Sequence, residues 1–269
     1  MSLPDPANPY SSPSAFPAGG GPGGKPVVAM DYMRMFTYIF ENPNWITTVL
    51  LAALCALIPI IGGIVLNGYK YEVMIGLLAT GGARYPDFDF GKFVDYLIRG
   101  LWPFLVGLVC SFALLPLWML FACAGAAGDR AGPIIAGFLS LCMIVIVPAF
   151  ILIVQPMLLR AALSQDFAQA FQIEWIKDFL KRVWVDLILG ILVLIVVSMV
   201  LTPLGFLACC VGILAVVPIL SLAQSHMLFQ VYSLYLARGG TAIPIKPTGQ
   251  QSMMPPPGGM PPGYPPKPV

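Results

Sequence analysis

The chain of 269 residues is 58% hydrophobic and only 10% charged, and its formal net charge is +2. Soluble domains usually carry about 25% charged residues, and a single soluble core of this length could not bury so much apolar surface. A net charge this small, with no basic cluster, excludes a typical nucleic-acid-binding surface. The composition therefore indicates an integral membrane protein whose main partner is the lipid bilayer, with no nucleic acid among its partners.

Three zones follow one another along the sequence. Residues 1–29 and 241–269 are rich in Pro and Gly. Such segments cannot bury enough apolar surface to offset the entropy lost on ordering, so both are predicted to be disordered tails. Residues 30–240 form the predicted transmembrane helical domain.

Long apolar runs within this domain predict membrane-spanning helices. Residues 131–159 and 187–237 contain no Lys, Arg, Asp or Glu, and each run exceeds the ~20 residues that a spanning helix needs. Their apolar residues do not alternate with polar ones, as the strands of a membrane barrel would require. We therefore predict an all-α, polytopic transmembrane bundle of roughly five to six membrane helices.

The domain shows signs of an internal repeat and is predicted to form three consecutive helical hairpins, at about 31–81, 88–164 and 168–238. Amphipathic segments with helical spacing lead into the second and third hairpins. Such a segment either lies in the head-group region or continues straight out of its span and packs on the next hairpin. The predicted membrane-interface residues of these segments are Phe93, Trp175, Phe179, Lys177, Lys181 and Arg182.

The first hairpin allows two topologies. Residues 45–66 contain Pro59 and a glycine pair, so they either cross the membrane once as a kinked span or form a short re-entrant hairpin. Lys and Arg collect in cytoplasmic loops. If the hairpin returns to its own side, Arg130 is the only basic residue on the opposite face, whereas a crossing adds Lys25 and Arg34 to it. The returning version fits better, and both versions place the C-terminus in the cytoplasm.

Three polar residues inside apolar runs are the candidate intramembrane positions: Asp186, Gln155 and His226. An ionisable group in a membrane is costly and is a functional hypothesis by default. Asp186 opens a long span, where the helix dipole favours a carboxylate, so we expect a structural role. His226 is expected to form a hydrogen bond between helices. Gln155 precedes Pro156 and is expected to bond a carbonyl that the proline frees.

No pattern of catalytic residues stands out. The sequence has no nucleophile motif, phosphate-binding glycine loop or paired intramembrane carboxylate. Its six cysteines lie in apolar runs without CxxC spacing, which is typical of packing residues rather than of a metal site. We therefore expect a protein that is not an enzyme, with no catalytic, cofactor-binding or metal-ligating residues and no cofactor.

An ordered series of short motifs resembles one family. The series is Glu41-Asn42-Pro43-Asn44-Trp45, Ile58-Pro59-Ile60-Ile61, Gly68-Tyr69, Pro86-Asp87-Phe88-Asp89 and Gly100-Leu101. It resembles the domain-of-unknown-function family 4013, over most of residues 36–238, although Phe88 stands where the family pattern has Trp. The resemblance implies a compact helical bundle in the plasma membrane of a prokaryote. It carries no established activity, so no catalytic residue is transferred.

Two functions remain open at this point. The first is a non-enzymatic membrane module that binds a membrane or cytoplasmic protein partner or organises lipid. It is favoured by the lack of catalytic motifs, by the amphipathic segments and by the long tails. The alternative is a component of a transporter or channel for a small molecule or lipid. Internal repeats and helices interrupted by proline, as at Pro59, Pro116 and Pro203, recur in transporters.

Overall fold

The computed structural model describes residues 29–126, 131–207 and 211–246. These residues form helices joined by short connections and contain no β-strand, which confirms the predicted all-α class. The helices are α1 (Arg34–Glu41), α2 (Trp45–Ala56), α3 (Ile61–Thr80), α4 (Phe93–Phe112), α5 (Leu115–Ala126), α6 (Ala131–Ser164), α7 (Phe167–Ala170), α8 (Ile173–Leu207) and α9 (Val211–Ala237), with a 3-10 turn at Phe90–Lys92 before α4.

Four helical segments are long and apolar enough to cross a membrane: Phe90–Phe112, Gly132–Ser164, Ile173–Leu207 and Gly212–Ala237. Two shorter apolar helices, Trp45–Ala56 and Leu115–Ala124, accompany them. Helices α2 and α3, α4 to α6, and α8 and α9 form the three predicted hairpins. Only 11% of the most apolar window of α8 is buried within the protein, against 50% for α9. Helix α9 therefore lies in the interior of the bundle, and most of the apolar part of α8 lies on its outer surface, where lipid would contact it.

Local sequence sets several helix ends. Gly81 ends α3 in the left-handed conformation (φ 63°), which glycine adopts without steric cost. Gly239, with φ 80°, follows α9 in the same way. The carboxylates of Asp89 and Asp166 accept hydrogen bonds from backbone N–H groups two residues further on, at 2.8 and 2.9 Å. These caps start the 3-10 turn before α4 and the short helix α7.

Helices α2 and α3 form a hairpin that returns to its own side. The turn between them is tight, because a Cβ on Gly62 would overlap the carbonyl oxygen of Cys55. The side chains of Asn42 and Asn44, before α2, donate to the carboxylate of Asp87, after α3, at 2.7 and 2.8 Å. The 12 residues of α2 span about 18 Å, less than the ~30 Å hydrocarbon core. The structure thus supports the re-entrant alternative.

Two glycines allow α3 and α4 to cross with their backbones in contact. A Cβ on Gly68 would overlap the carbonyl oxygen of Tyr96, and a Cβ on Gly100 would overlap that of Ile64. Small residues permit such close approach in membrane helices, where dispersion contacts replace the hydrophobic effect as the driving force. The two glycines of the family-like motifs therefore mark a helix crossing.

Arg99 is the most deeply buried cation of the described chain. It is 1% exposed, and its Nε lies 2.5 Å from Oε1 of Glu72 on α3. Its Nη atoms donate to the carbonyls of Ala162 on α6 and Lys246 beyond α9, at 3.3 and 3.2 Å. One guanidinium group therefore connects α4 to three separate segments, because it carries five N–H donors that point in different directions.

A short extended segment, residues 241–246, packs on the helices and is called the C-terminal strap. The N–H of Ile243 donates to the hydroxyl of Tyr232 at 2.8 Å. The N–H of Lys246 donates to the carbonyl of Leu163 at 3.0 Å. The strap therefore lies beside the C-terminal end of α6.

The predicted domain boundaries stay predictions. Most of the two tails, residues 1–28 and 247–269, lies outside the described residues, as does Arg130. The C-terminal strap falls within the predicted tail, and the contacts above attach it to the helical domain.

Substitution at the α3–α4 crossing should unfold the bundle more easily. We expect Gly100→Val to cost about 3 kcal/mol or more, because the overlapping atoms are backbone atoms that cannot rotate away. The thermal midpoint in mild detergent should then fall by roughly 6–12 °C. Gly63→Val is the matched control, since no atom lies within 4 Å of a Cβ there. Equal midpoints for the two variants would contradict the crossing.

Candidate functional site

A groove of about 440 Å³ lies between α6, α8 and α9. Its volume falls within the ~300–1,000 Å³ that is typical of ligand sites. All its residues belong to segments that are able to cross a membrane. Neighbouring Ile153 and Val196 are about half exposed, so the groove opens on a lipid-facing surface. It is lined by Ile151, Gln155, Ile191, Leu194, Ile195, Ser198, Val217, Leu220, Ser221, Gln224 and Met227.

A few polar groups interrupt this apolar lining. The Oε1 atom of Gln155 is buried and has no hydrogen-bond partner within the described residues. The bond expected from Gln155 to a freed carbonyl would use the Nε2 donor instead, and it stays a prediction. Oε1 of Gln224 accepts a hydrogen bond from Nζ of Lys70 at 3.5 Å, and Ser198 donates to a backbone carbonyl of its own helix at 2.8 Å. The groove thus offers both donor and acceptor atoms to a polar group of a ligand.

Lys70, behind Gln224, is a charged residue that sequence reasoning missed. It lies on α3 and is 8% exposed, with Nζ 4.7 Å from the ring centroid of Tyr71. In the sequence, the Tyr, Lys and Glu residues around Lys70 are typical of a helix segment that leaves the membrane. The informative signal is the spacing: Glu72, two residues further on, points to another side of the helix and cannot pair with Lys70. Glu72 instead pairs with Arg99.

Asp186, the first candidate residue, lies away from the groove. Its Oδ2 is 2.6 Å from Nη1 of Arg238, just beyond the end of α9. Arg182 pairs with Asp178 at 2.9 Å, and the guanidinium groups of Arg182 and Arg238 each donate to the backbone carbonyl of the other residue. These partly exposed contacts fasten the start of α8 to the end of α9.

His226, another candidate, faces α1 rather than the groove. It is 1% exposed, and its Nδ1 lies 2.8 Å from Nε2 of Gln230, one turn along the same helix. The same Nε2 donates to the carbonyl of Asp31 at 2.9 Å, and the ring of Tyr38 lies 4.4 Å from the imidazole, centroid to centroid, at a tilt of 38°. The described bond of His226 thus stays within α9, its buried Nε2 has no partner among the described residues, and Gln230 makes the contact with the segment before α1. The bond between helices expected of His226 stays a prediction.

The aromatic residues of the α8 amphipathic segment pack on protein. Trp175 and Phe179 are 8% and 1% exposed, and their rings lie 5.4 and 5.0 Å from the ring of Tyr235 on α9. Arg160 of α6 lies over Trp175 at 5.0 Å. The segment therefore packs on α9 of its own hairpin and on α6 of the hairpin before it. A kink at Val183 separates the segment from the span that follows.

The other predicted interface residues keep more exposure. Phe93 is half-buried and stacks on Phe90 at 6.4 Å. Lys177 and Lys181 are exposed, and Arg182 is half-buried. Their place at the membrane interface stays a prediction.

A second, polar depression of about 500 Å³ lies beside the clamp of Asn42 and Asn44 on Asp87. Its wall includes Tyr85, whose hydroxyl donates to the carbonyl of Ile39 at 2.9 Å. Burial raises the pKa of Tyr85 to about 12, so this hydroxyl remains a donor at neutral pH. The family-like residues here join the two ends of the α2–α3 hairpin, and Tyr85, just before the last of these motifs but one, joins it to α1.

The three candidate residues are thus not brought together. Gln155 lines the groove, His226 supports α1, and Asp186 joins the ends of α8 and α9. The groove gathers Gln155 with Gln224 from α9, and Gln224 in turn contacts Lys70 from α3. This combination of three helices is the arrangement best suited to hold a ligand.

The buried Arg99–Glu72 pair should contribute much more to stability than the partly exposed Asp186–Arg238 pair. Arg99→Met leaves the carboxylate of Glu72 buried and should cost about 3–5 kcal/mol. Asp186→Asn breaks a pair whose side chains are 19% and 42% exposed, and should cost about 1 kcal/mol or less. Thermal unfolding of both purified variants in detergent measures the difference. A larger loss for Asp186→Asn would show that the interfacial pair is the more important one.

Comparison with known proteins identifies the family. Residues 51–230 match the family described as "Protein of unknown function (DUF4013)", which covers well over half of the chain. No curated protein and no solved structure matched. The glycine crossing, the hairpin turn and the Asp87 loop all fall inside the matched region. The chain belongs to the DUF4013 family.

Proposed function

We propose that this chain is a non-enzymatic membrane module that binds a lipid in the groove between α6, α8 and α9. The observation that carries the proposal is the groove itself, with about 440 Å³ of space inside segments able to cross a membrane. Its lining is mostly apolar with a few hydrogen-bonding groups. A lipid has the same division between an apolar chain and a polar head.

The side chains of the groove support binding rather than catalysis. Nucleophilic catalysis by serine requires a base within hydrogen-bond reach. Within the described residues, Ser198 donates to a backbone carbonyl, and neither Ser198 nor Ser221 has a histidine or carboxylate partner. Gln155 and Gln224 do not titrate, so they can orient a bound molecule without exchanging protons with it.

Filling the groove should remove the bound lipid. Ile195 lines the groove and is 36% exposed, so Ile195→Trp places an indole ring in the space that a lipid would occupy. We expect about a tenfold loss of lipid retained through purification in mild detergent, measured by quantitative mass spectrometry. The neighbouring Val196 is 54% exposed and does not line the groove, so Val196→Trp should retain as much lipid as the wild type. Equal retention in all three proteins would refute lipid binding at this groove.

Lipid transport is the second candidate, favoured by the polar groups at membrane depth. Gln155, Gln224 and the cation behind them could carry a head group partway across the bilayer. Reconstituted protein would then accelerate the movement of a fluorescent head-group-labelled phospholipid between leaflets, and Ile195→Trp would abolish this activity. Lipid retention without such movement supports a module that only binds or organises lipid. A protein partner that copurifies in equal amount would instead support an assembly role.

We also propose a prokaryotic plasma membrane location with the C-terminus in the cytoplasm. The C-terminal strap lies beside the end of α6, on the same side as Arg99, Arg160, Lys177 and Lys181, and cytoplasmic loops collect basic residues. A reporter fused after residue 269 that fluoresces only in the cytoplasm should be active. A fusion of alkaline phosphatase, which is active only outside the cytoplasm, should be inactive there. An inactive fluorescent reporter and an active phosphatase would place the C-terminus outside the cytoplasm and contradict this topology.

A further inference from the structure

Lys70 is a buried cation that has no partner of opposite charge among the described residues. It is 8% exposed, and none of the ion pairs within the described residues includes it. Its described contacts are the Gln224 side chain, at 3.5 Å, and the ring of Tyr71, at 4.7 Å. A buried ammonium group is costly when only neutral groups surround it. A negative charge supplied from outside the chain would reduce this cost.

Two other buried cations have different surroundings: one is paired with a carboxylate, and the other, like Lys70, has only neutral side chains among its described contacts. Arg99 has the carboxylate of Glu72. Arg160, at 7% exposure, donates to the side chain of Gln172 and lies over the ring of Trp175. Arg160 is directed at these two residues near the start of α8, whereas Lys70 contacts a residue that lines the groove. Lys70 is therefore the buried cation placed to influence a ligand there.

Gln224 transmits the effect of Lys70 to the groove. An ammonium group can only donate, so the amide oxygen of Gln224 is turned towards Lys70. The amide –NH2 of Gln224 is then left to donate to a molecule in the groove, which Gln224 lines. A donor backed by a positive charge favours a negatively charged oxygen over a neutral one.

The groove also has a direction. Gln155 and Gln224 lie towards the end of the bundle that carries Arg160 and Arg238, because α6 and α9 both run from these glutamines to those arginines. Val217 and Ser198 lie towards the opposite end of α9 and α8. A lipid would therefore place its head group near Gln224 and its acyl chain along the apolar part of the groove. Lipids of the leaflet on the side of Arg160 and Arg238 have this orientation.

We propose that Lys70, acting through Gln224, makes the groove selective for an anionic phospholipid. This inference rests on the proposed function, because it names the class of lipid that the groove takes. Lys70 is a specificity-determining residue in this account, and it does not touch the lipid directly. A zwitterionic phospholipid would bring its own cation towards Lys70 and would bind less well.

The test equilibrates the purified full chain with mixed micelles of equimolar phosphatidylglycerol and phosphatidylcholine, and measures the retained lipids by mass spectrometry. We expect the wild type to retain phosphatidylglycerol in roughly tenfold excess. Lys70→Gln should retain a similar total of lipid with no preference, and Lys70→Arg should keep the preference. Lys177→Gln is the control, because it removes an exposed cation near the start of α8 that does not line the groove.

Gln224→Glu provides a second test that leaves Lys70 in place. The new carboxylate would pair with Lys70 and remove the preference while stabilising the fold, so the inference stays testable if Lys70→Gln does not accumulate. A preference that survives in Lys70→Gln or in Gln224→Glu, or a wild type that retains both lipids equally, overturns the inference and leaves lipid binding intact. A wild type that retains no more lipid than Ile195→Trp overturns the proposed function itself.

Discussion

The buried guanidinium of Arg99 is the contact on which most of the described structure depends. It joins α4 to Glu72 of α3, to a carbonyl of α6 and to a carbonyl of the C-terminal strap. The crossing at Gly68 and Gly100 brings the α3 and α4 backbones into contact, which places Arg99 within reach of Glu72. Because the ion pair is shielded from water, losing either partner would leave an uncompensated charge. At the charged end of the bundle, Arg99 thus holds α3, α4, α6 and the strap together, and the contacts of Arg182 and Arg238 join α8 to α9.

Lys70 lies two residues before Glu72 and, unlike Arg99, is not paired with a carboxylate among the described residues. The carboxylate that α3 provides is used by Arg99, so Lys70 has a neutral amide as its polar contact. A protein that pairs one buried cation and leaves another beside a lipid-facing groove keeps electrostatic attraction available for a ligand. The same helix therefore contributes an interaction that stabilises the fold and a charge that can select a lipid. This division is the physical basis of the proposed selectivity for an anionic lipid.

Much of the fold could be predicted from the sequence, because long apolar runs without charged residues predict membrane-spanning helices directly. The three hairpins follow from residues 131–159 and 187–237 and from glycine pairs such as Gly81-Gly82. The site was less predictable. Asp186 and His226 are unusual in their runs, yet Asp186 pairs with Arg238, and Nδ1 of His226 bonds to Gln230 on the same helix. Lys70 was missed because spacing along α3 excludes only a pair with Glu72, whereas the contacts between helices show that no other described segment supplies a carboxylate to Lys70.

A structure of the full chain in nanodiscs of native lipid would test the central claim most directly. The account predicts elongated density between α6, α8 and α9, with its polar end near Gln224 and its chain extending towards Val217. A groove closed by its own side chains, or one filled by a continuous file of water, would contradict the binding of a lipid there.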